Sequence, residues 1–211
     1  MKLKLSYFPF PFWRAEISRV ALFMADIEFE NHYVSFDELR AMKKEGSLPF
    51  GQVPILEVDG QVIAQTGAIA RFCGKLSGLY PRDNDLEAAL IDQFIDAATD
   101  ITMLFSPTMF EKDQEKKLAA RAEIAKKKLP RWLGHLEAQL GHDESGYVVG
   151  GCLTMADLTL WRITGWLGSG TLDGIPTDVL GGYPKLESHF ATIDALPKIR
   201  EWMDGRYPIK D

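Results

Sequence analysis

Cysteine is scarce in this sequence of 211 residues, which contains only Cys73 and Cys152. The two residues are far apart in the chain and show neither the spacing of a metal site nor that of a redox pair. Such sparse use of cysteine is typical of a protein in a reducing compartment, and we therefore expect a cytoplasmic location.

Long apolar runs and long basic runs are also missing. No stretch approaches the length of a membrane span, and prolines together with Arg14-Ala15-Glu16 interrupt the apolar start before it is long enough for a signal peptide. The formal net charge of −6 argues against nucleic acid or an anionic membrane as the main partner. We expect a soluble protein that is not exported.

The richest stretch of the sequence is a predicted hairpin that leads into a helix. Residues 53–58 are mostly apolar, and Asp59-Gly60 is a dipeptide that a type I′ turn favours because both central residues need a positive φ. Pro54 cannot donate to a sheet, so it belongs at the first residue of a strand or at an edge. If the Val53-Pro54 bond is cis, the backbone groups of Val53 can pair with an extended ligand. Thr66 starts a helical pattern, where a hydroxyl and free N–H groups together can bind an anion.

The composition, with 46% hydrophobic and 26% charged residues, is globular, and the length allows one large or two small domains. The first part of the chain mixes strands and helices. The predicted elements are a strand at 3–8, a helix at 14–25, a strand at 29–36, a polar irregular segment at 37–46, the hairpin, and a helix at 66–76. The order is β-α-β followed by β-β-α, and the first unit requires a parallel strand pair. This arrangement predicts a thioredoxin-like layout.

The rest of the chain is expected to be helical. Residues 79–85 break the periodicity and are interpreted as a linker, and from residue 86 onward strand signals nearly vanish. A charged run at 112–128 predicts a solvated helix, which Leu129-Pro130 would kink or interrupt. Apolar side chains recur at helical spacing earlier in this part, at Leu90, Ile91, Phe94, Ile95 and Ala98.

Two segments of the second half contain acidic residues that are better explained by a structural role than by a catalytic or metal-binding one. Thr154 and Asp157 have the spacing of a capping box, in which a hydroxyl at the N-cap and an acid three residues later satisfy the first backbone N–H groups of a helix. His142-Asp143-Glu144 lies in a glycine-flanked loop, where three adjacent side chains cannot all converge on one ion. We therefore predict no metal site.

Two segments of the first half resemble the glutathione-binding part of cytosolic glutathione transferases. They are Pro49-Phe50-Gly51-Gln52-Val53-Pro54 and Gln65-Thr66-Gly67-Ala68-Ile69-Ala70-Arg71-Phe72. The similarity is greatest to the tyrosine-type classes, sigma above all, with pi and mu next. It implies an α/β thioredoxin-like N-terminal domain over residues 1–78, a linker at 79–85, and an all-α C-terminal domain over residues 86–211. It also implies glutathione as cosubstrate.

The resemblance extends to the first strand and first helix, where it implies that Tyr7 is the catalytic tyrosine and that Arg14 adds a positive field. A phenol that donates a hydrogen bond to a thiolate lowers the pKa of the thiol, and lowering the pKa by one corresponds to about 1.4 kcal/mol. Residues 8–13 form a loop that is one residue longer than the family pattern and unusually aromatic. Ser6 is the alternative activator, as in serine-type members.

The glutathione contacts implied by the resemblance come from three parts of the first domain. The segment that pairs with the glutathione backbone is placed at Gln52, Val53 and Pro54, and Phe8 is also placed in this site. The γ-glutamyl carboxylate is placed at Gln65 and Thr66. The glycyl carboxylate is assigned to Lys43, with Lys44 as the alternative, because the tryptophan that family members often have in this region is missing.

The resemblance also implies a two-fold homodimer. Asp92, Asp96 and Asp100 are four residues apart and share one helix face, where a solvated surface is the simplest interpretation. In the family, the aspartate that matches Asp100 reaches the γ-glutamyl ammonium across the dimer. Phe50 matches the aromatic residue that inserts between helices of the partner subunit.

The second substrate is expected to be a hydrophobic electrophilic small molecule, bound between the aromatic loop and the helical domain. Candidate pocket residues are Phe10, Phe12, Trp13, Met103, Phe105, Phe110, Trp161, Trp166 and Tyr207. The predicted activity is conjugation of the glutathione thiolate to such molecules, with reduction of organic peroxides as a further possibility. Two alternatives stay open: a glutathione-dependent isomerase of the prostaglandin type, and a non-enzymatic ligand-binding or structural relative. A cysteine-type thiol transferase is disfavoured, since no cysteine lies near the first helix.

Overall fold

The computed structural model describes residues 1–141 and 145–207. The chain forms two compact units. The first comprises residues 1–88 together with the described residues from Leu196 onward, and the second comprises residues 89–195. The C-terminal helix therefore packs with the N-terminal part of the chain.

The first unit is a thioredoxin-like α/β fold built on a mixed sheet with strand order β2-β1-β3-β4. Strands β1 and β2 are parallel, and β3 is antiparallel to both β1 and β4. The predicted β-α-β and β-β-α order is confirmed. The elements of this unit are β1 (Leu3–Tyr7), α1 (Trp13–Met24), β2 (Glu30–Tyr33), α2 (Phe36–Glu45), β3 (Ile55–Val58), β4 (Gln61–Ala64), α3 (Thr66–Ser77) and, at the C-terminal end, α9 (Pro197–Arg206).

The hairpin forms as its turn sequence predicts. Asp59 and Gly60 have φ values of 48° and 88°, which are the left-handed conformations that a type I′ turn requires. The Val53–Pro54 peptide bond is cis. Behind the hairpin, side chains from the sheet, α1 and α3 form one apolar core. Its buried members are Leu3, Leu5, Leu22, Leu56, Ile69 and Cys73.

Helix α2 corrects the prediction that residues 37–46 are irregular. The hydroxyl of Ser35 accepts a hydrogen bond from the backbone N–H of Glu38, and Gly46 ends the helix in the left-handed conformation. No side chain of α2 is buried. Its apolar residues Phe36, Leu39 and Met42 recur every three positions, but none is buried and charged residues dominate the helix, so the caps mark its boundaries more clearly than this pattern does.

The second unit is all-helical, as predicted. Helix α4 starts in the first unit, and its apolar side chains Ile91, Phe94, Ile95 and Ala98 are buried, whereas Leu90 is exposed. In the part of the chain that the structure describes, no helix is both long and apolar enough to cross a membrane. The helices are α4 (Asp85–Met109), α5 (Gln114–Glu123), α6 (Leu129–Ala138), α7 (Met155–Leu167) and α8 (Pro184–Asp194).

The charged run at 112–128 is helical from Gln114 onward but not uniformly solvated. Arg121 of α5 is buried, and its Nε donates to the hydroxyl of Thr108 at 3.0 Å. A π-helical turn, Ile124–Lys128, separates α5 from α6. Pro130 lies in the first turn of α6, directly after this π-helical segment, and the chain stays helical through Leu129-Pro130. Where the sequence predicted a kink or an interruption, the structure shows a change of helix type just before the proline.

Candidate functional site

The sheet brings three predicted site segments to one end. Tyr7 is the last residue of β1, and β3 begins beside it because the two strands are antiparallel. Val53 and Pro54 directly precede β3, and Gln65 and Thr66 directly follow β4, whose end pairs with the start of β3. Neighbouring strands lie about 4.8 Å apart, so these segments span roughly 10 Å, which matches an extended tripeptide.

Tyr7 is almost completely buried, with 4% of its side chain exposed. Burial raises the pKa of its phenol to about 12, although the positive charges of Arg14 and Arg19 oppose this change. The phenol therefore keeps its proton at neutral pH. A protonated, buried O–H group is a hydrogen-bond donor, which is what the predicted stabilisation of a thiolate requires.

Arg14 lies in the first turn of α1 and is half-buried. Its guanidinium carbon stands 5.4 Å from the ring centroid of Trp13, a cation–π geometry. Burial lowers the pKa of Arg14, and interaction with Tyr7 opposes this change. Arg14 and Tyr7 therefore lie close enough to interact electrostatically, and the catalytic role of Arg14 stays a prediction.

Thr66 is the first residue of α3, and its N-cap is Gln65. The Thr66 hydroxyl is buried and has no hydrogen-bond partner among the described residues. Gln65 has a φ of 73°, a left-handed conformation that is strained for a residue with a side chain. An orphaned hydroxyl beside free N–H groups at a helix start suits a carboxylate, so these residues fit the predicted γ-glutamyl end of glutathione.

An aromatic cluster adjoins Tyr7. The rings of Phe8 and Phe10 are stacked at 5.5 Å, and Tyr7 contacts both edge-on at 5.3 and 5.8 Å. Phe36 of α2, which is 68% exposed, lies 5.0 Å from Phe8. Of the other loop residues proposed for the electrophile pocket, Phe12 is half-buried and Trp13 is fully buried.

The remaining predicted residues of the first unit differ in their environments. Lys43 and Lys44 are exposed in the last turn of α2, and Gln52 is exposed before β3. The hydroxyl of Ser6, the alternative activator, is 2.9 Å from Nδ1 of His32. Tyr207, named as a pocket residue, donates its hydroxyl proton to Glu16 at 3.0 Å.

The predicted residues of the second unit lie on α4 and α7 or close to them. Asp100, Met103 and Phe110 are exposed. Phe105 is fully buried and contacts the ring of Trp166 edge-on at 5.4 Å. Trp161 is also fully buried, and its indole N–H donates to Asp194 at 3.0 Å. The pocket role of these residues stays a prediction.

Sequence reasoning missed three residues near Tyr7: Glu16, Arg19 and Phe36. Glu16 and Arg19 are fully buried and form an ion pair at 3.1 Å within α1. The signal was present in the sequence, because both residues fall among the apolar positions of an otherwise buried helix. Phe36 was missed together with α2.

Within residues 1–141 and 145–207, no three His, Cys, Asp or Glu side chains come together in a group that could hold a metal ion. The segment His142-Asp143-Glu144, which was considered in the sequence as a metal candidate, lies outside the described residues. The acid of the predicted capping box, Asp157, accepts from the N–H of Thr154, as a capping box requires. The capping-box prediction is confirmed.

Comparison with known proteins relates the whole chain to one family. The family model described as glutathione S-transferase, N-terminal domain, matches residues 3–74, and the one described as glutathione S-transferase, C-terminal domain, matches residues 99–206. Hematopoietic prostaglandin D synthase of Gallus gallus is 36% identical over 203 residues, with 96% of each chain covered. Glutathione S-transferase 1 of Ascaris suum is 32% identical, again with 96% of each chain covered.

Solved structures show the same relationship. A monomeric glutathione S-transferase from the hookworm Necator americanus superimposes with a TM-score of 0.81 at 32% identity and full coverage of both chains. The structure described as prostaglandin synthase D of Nilaparvata lugens gives a TM-score of 0.84 at 28% identity, with 98% of each chain covered. Together with the residues gathered around Tyr7 and Thr66, these matches show that the chain belongs to the glutathione S-transferase family of enzymes.

Proposed function

We propose that this protein is a tyrosine-type glutathione transferase, most similar in kind to the sigma class. It joins the thiolate of glutathione to an electrophilic carbon of a hydrophobic small molecule, and it also reduces organic peroxides. The observation that carries this proposal is the buried phenol of Tyr7, which keeps its proton at neutral pH and lies in the positive field of Arg14.

The chemistry of the proposal is activation of a nucleophile. A free thiol with a pKa of about 8.5 is mostly protonated at neutral pH, whereas a thiolate that accepts a hydrogen bond from Tyr7 is stabilised relative to the thiol. Arg14 adds an attractive charge. In conjugation, the sulfur forms a bond to the electrophilic carbon with its own electron pair, and the leaving group departs with the electrons of the broken bond.

The glutathione site extends from Tyr7 to the start of α3. The γ-glutamyl carboxylate binds the hydroxyl of Thr66 and the free N–H groups of the helix, an assignment supported by the orphaned, buried hydroxyl. The rest of the tripeptide runs as an added strand along residues 52–54. The other assigned contacts are Phe8, Gln65 and the side chain of Lys43.

A homodimer is part of the proposal. Phe50 is 64% exposed beside a proline and a glycine, as expected of an aromatic residue that a second subunit covers. Asp100, which is exposed on α4, is proposed to reach the γ-glutamyl ammonium of glutathione in the partner subunit. We also propose domains at 1–78 and 86–211, a linker at 79–85, and a cytoplasmic location.

The hydrophobic electrophile is proposed to bind next to the aromatic cluster. The exposed ring of Phe36 and the partly exposed ring of Phe10 offer apolar surface beside the reactive position. Aromatic side chains provide large apolar contacts with little loss of side-chain entropy, and they stack on planar substrates. The remaining assigned pocket residues are Phe12, Trp13, Met103, Phe105, Trp161 and Tyr207.

The test is glutathione binding by calorimetry together with the ultraviolet absorbance of the bound thiolate as a function of pH. We expect wild type to bind glutathione with a lowered thiol pKa and Tyr7→Phe to bind it without the thiolate band at neutral pH. Ser6→Ala is the matched control, since it tests the serine alternative and should retain the thiolate. If glutathione does not bind wild type, the non-enzymatic alternative is the better explanation.

A second candidate function is isomerisation of a lipid endoperoxide. It is supported by relatives of this chain that carry such names, among them hematopoietic prostaglandin D synthase of Gallus gallus and prostaglandin synthase D of Nilaparvata lugens. An isomerase would use the same thiolate but would release glutathione unchanged. Measuring glutathione consumption during turnover of a prostaglandin-type endoperoxide separates the two, because only conjugation or peroxide reduction consumes the thiol.

A further inference from the structure

Arg19 connects the residue after Tyr7 to two other elements of the first unit. Its side chain is fully buried. The guanidinium donates through Nη2 to the carbonyl oxygen of Phe8 at 3.2 Å and through Nε to the side-chain oxygen of Asn31 in β2 at 2.9 Å. The third nitrogen, Nη1, forms an ion pair with Glu16 at 3.1 Å. Each of the three guanidinium nitrogens therefore has a different partner. Such a fork holds its partners in one relative geometry.

The carboxylate of Glu16 links this arrangement to the C-terminal part of the unit. Glu16 Oε1 accepts from the indole N–H of Trp202 in α9 at 2.5 Å, and Oε2 accepts from the hydroxyl of Tyr207 at 3.0 Å. Trp202 and Glu16 are both fully buried. Both carboxylate oxygens therefore have donors, as a buried charge requires. The end of the chain thus contributes directly to the surroundings of Arg19.

Arg19 also faces the catalytic candidate itself. Its Cζ lies 5.8 Å from the ring centroid of Tyr7 and 5.2 Å from that of Tyr33, both within the range of a cation–π contact. An arginine guanidinium is always charged in proteins, so Tyr7 has a buried positive charge beside it in addition to the half-buried charge of Arg14.

We propose that Arg19 is a positioning residue for the activation of glutathione. It fixes the chain immediately after Tyr7 through the Phe8 carbonyl and holds a positive charge beside the phenol. Arg19 is itself held by Glu16, which Trp202 and Tyr207 of the C-terminal segment bind in turn. The inference rests on the proposed function, because it concerns how Tyr7 stabilises the thiolate. It adds the C-terminal helix, which is far from Tyr7 in sequence, to the groups that set the reactivity of the site.

Several charged or titratable groups surround Tyr7, and of these the test changes only Glu16 and Tyr207. The surrounding groups are Arg14 and Glu16 on α1, His32 and Tyr33 on β2, and Tyr207 after α9. The positive charge of Arg19 lowers the pKa of the Tyr7 phenol, which supports the direction of the effect. The same charge stabilises a thiolate that accepts a hydrogen bond from that phenol.

The experiment measures the apparent pKa of enzyme-bound glutathione from the thiolate absorbance and from the pH profile of kcat/KM. Three variants are compared with wild type: Arg19→Lys, the double variant Glu16→Gln/Arg19→Gln, and Tyr207→Phe. The double variant removes both charges together, so that no unpaired charge is left buried. Lys198→Met is the control, since it breaks a different contact of α9, the exposed pair with Asp26, and leaves Arg19 in place.

We expect the double variant to raise the apparent pKa of the bound thiol by about 0.5 or more, which lowers the ratio of thiolate to thiol roughly threefold at a given pH. Tyr207→Phe and Arg19→Lys should each raise this pKa by a smaller amount, because the first keeps Arg19 and the second keeps its charge. Lys198→Met should match wild type.

Two results would overturn the inference. If variants that fold lose activity by one constant factor at every pH, Arg19 has only a structural role. If Tyr207→Phe and Arg19→Lys both keep the wild-type profile and the double variant is unfolded, the anchored arrangement does not affect the thiol. A wild type that forms no bound thiolate would instead contradict the proposed function as well.

Discussion

Nε2 of His189 lies 3.0 Å from Oδ1 of Asp157, and both side chains are buried. The same carboxylate accepts from the backbone N–H of Val148 at 2.9 Å and from the N–H and hydroxyl of Thr154 at 2.8 and 3.0 Å. Asp157 therefore joins the start of α7 to the preceding loop and to α8. The hydrogen-bond partners of this carboxylate all belong to the second unit, which supports a structural role for Asp157.

Substituting Asp157 by Asn should destabilise the protein without affecting the chemistry. The amide replaces one acceptor oxygen by a donor and leaves buried groups without partners, which should lower the free energy of unfolding by about 3 kcal/mol. Urea denaturation measures this loss, and turnover per folded molecule should match wild type. Asp178→Asn, at an exposed acid of the same unit, should change the free energy by less than about 0.5 kcal/mol. A stable Asp157→Asn variant with reduced turnover would contradict the assignment.

The pKa of Tyr7 predicts how stability depends on alkaline pH. Burial raises this pKa from 10.0 to about 12, so above pH 10 the unfolded chain loses the phenolic proton while the native protein keeps it. The unfolded state then binds fewer protons, and stability falls as pH rises from 10 towards 12. At pH 11 the contribution lost should be about 1.4 kcal/mol.

Denaturant unfolding of wild type and Tyr7→Phe between pH 8 and 11 tests this dependence. The difference in free energy between the two proteins should shrink as pH rises above 10, because the variant has no phenolic proton to lose at this position. Tyr207 should contribute to the remaining slope, since burial and the neighbouring Glu16 also raise its pKa. A constant difference across the whole range would show that Tyr7 titrates normally.

Substitution of Phe36 should weaken binding of the hydrophobic electrophile and leave binding of glutathione unchanged. Because its ring is 68% exposed, Phe36→Ser should fold normally. Loss of one aromatic contact should raise KM for an apolar electrophile by roughly threefold to tenfold, while the Kd of glutathione stays the same. Leu86→Ser, at an apolar residue with 72% exposure, is the matched control and should change neither value. A change in glutathione affinity alone would place Phe36 in the other subsite.

The two cysteines should differ sharply in reactivity. Cys73 lies in the core of the first unit, where burial raises the pKa of its thiol to about 12, whereas Cys152 is exposed. At pH 8 only about one Cys73 thiol in ten thousand is ionised, so alkylation of the native protein should modify Cys152 alone. Cys152→Ser should abolish labelling of the native protein, and urea should restore labelling of Cys73. Rapid native labelling of Cys73 would contradict its burial.

Local sequence signals predicted part of the fold because the conformation concerned depends on neighbouring residues. The Asp59-Gly60 turn, the helix that starts at Thr66 and the capping box of Thr154 and Asp157 are all of this kind. Helix α2 was missed since it buries no side chain, although Ser35 before it and Gly46 after it were readable as caps. The capping residues were better evidence for this helix than its hydrophobic pattern.

The resemblance named candidate site residues, including Tyr7, Arg14 and Thr66, but it did not predict what surrounds them in the fold. Nothing local to Tyr7 indicates that Arg19 faces its ring or that Phe36 extends its aromatic cluster. Both contacts depend on the packing of α1 and α2 beside the end of the sheet. Likewise, only the folded structure shows that the buried Thr66 hydroxyl has no hydrogen-bond partner among the described residues.

The sequence by itself determined the order of strands and helices in the first unit apart from α2, the turn and cap residues, and the family to which the chain is similar, because these follow from backbone preferences and short motifs. Only the tertiary structure decided that Trp202 and Tyr207 of the C-terminal segment bind Glu16 of α1. Contacts between residues nearly two hundred positions apart leave no periodic or local signal. They arise because buried charges must find donors, and folding determines which donors come within reach.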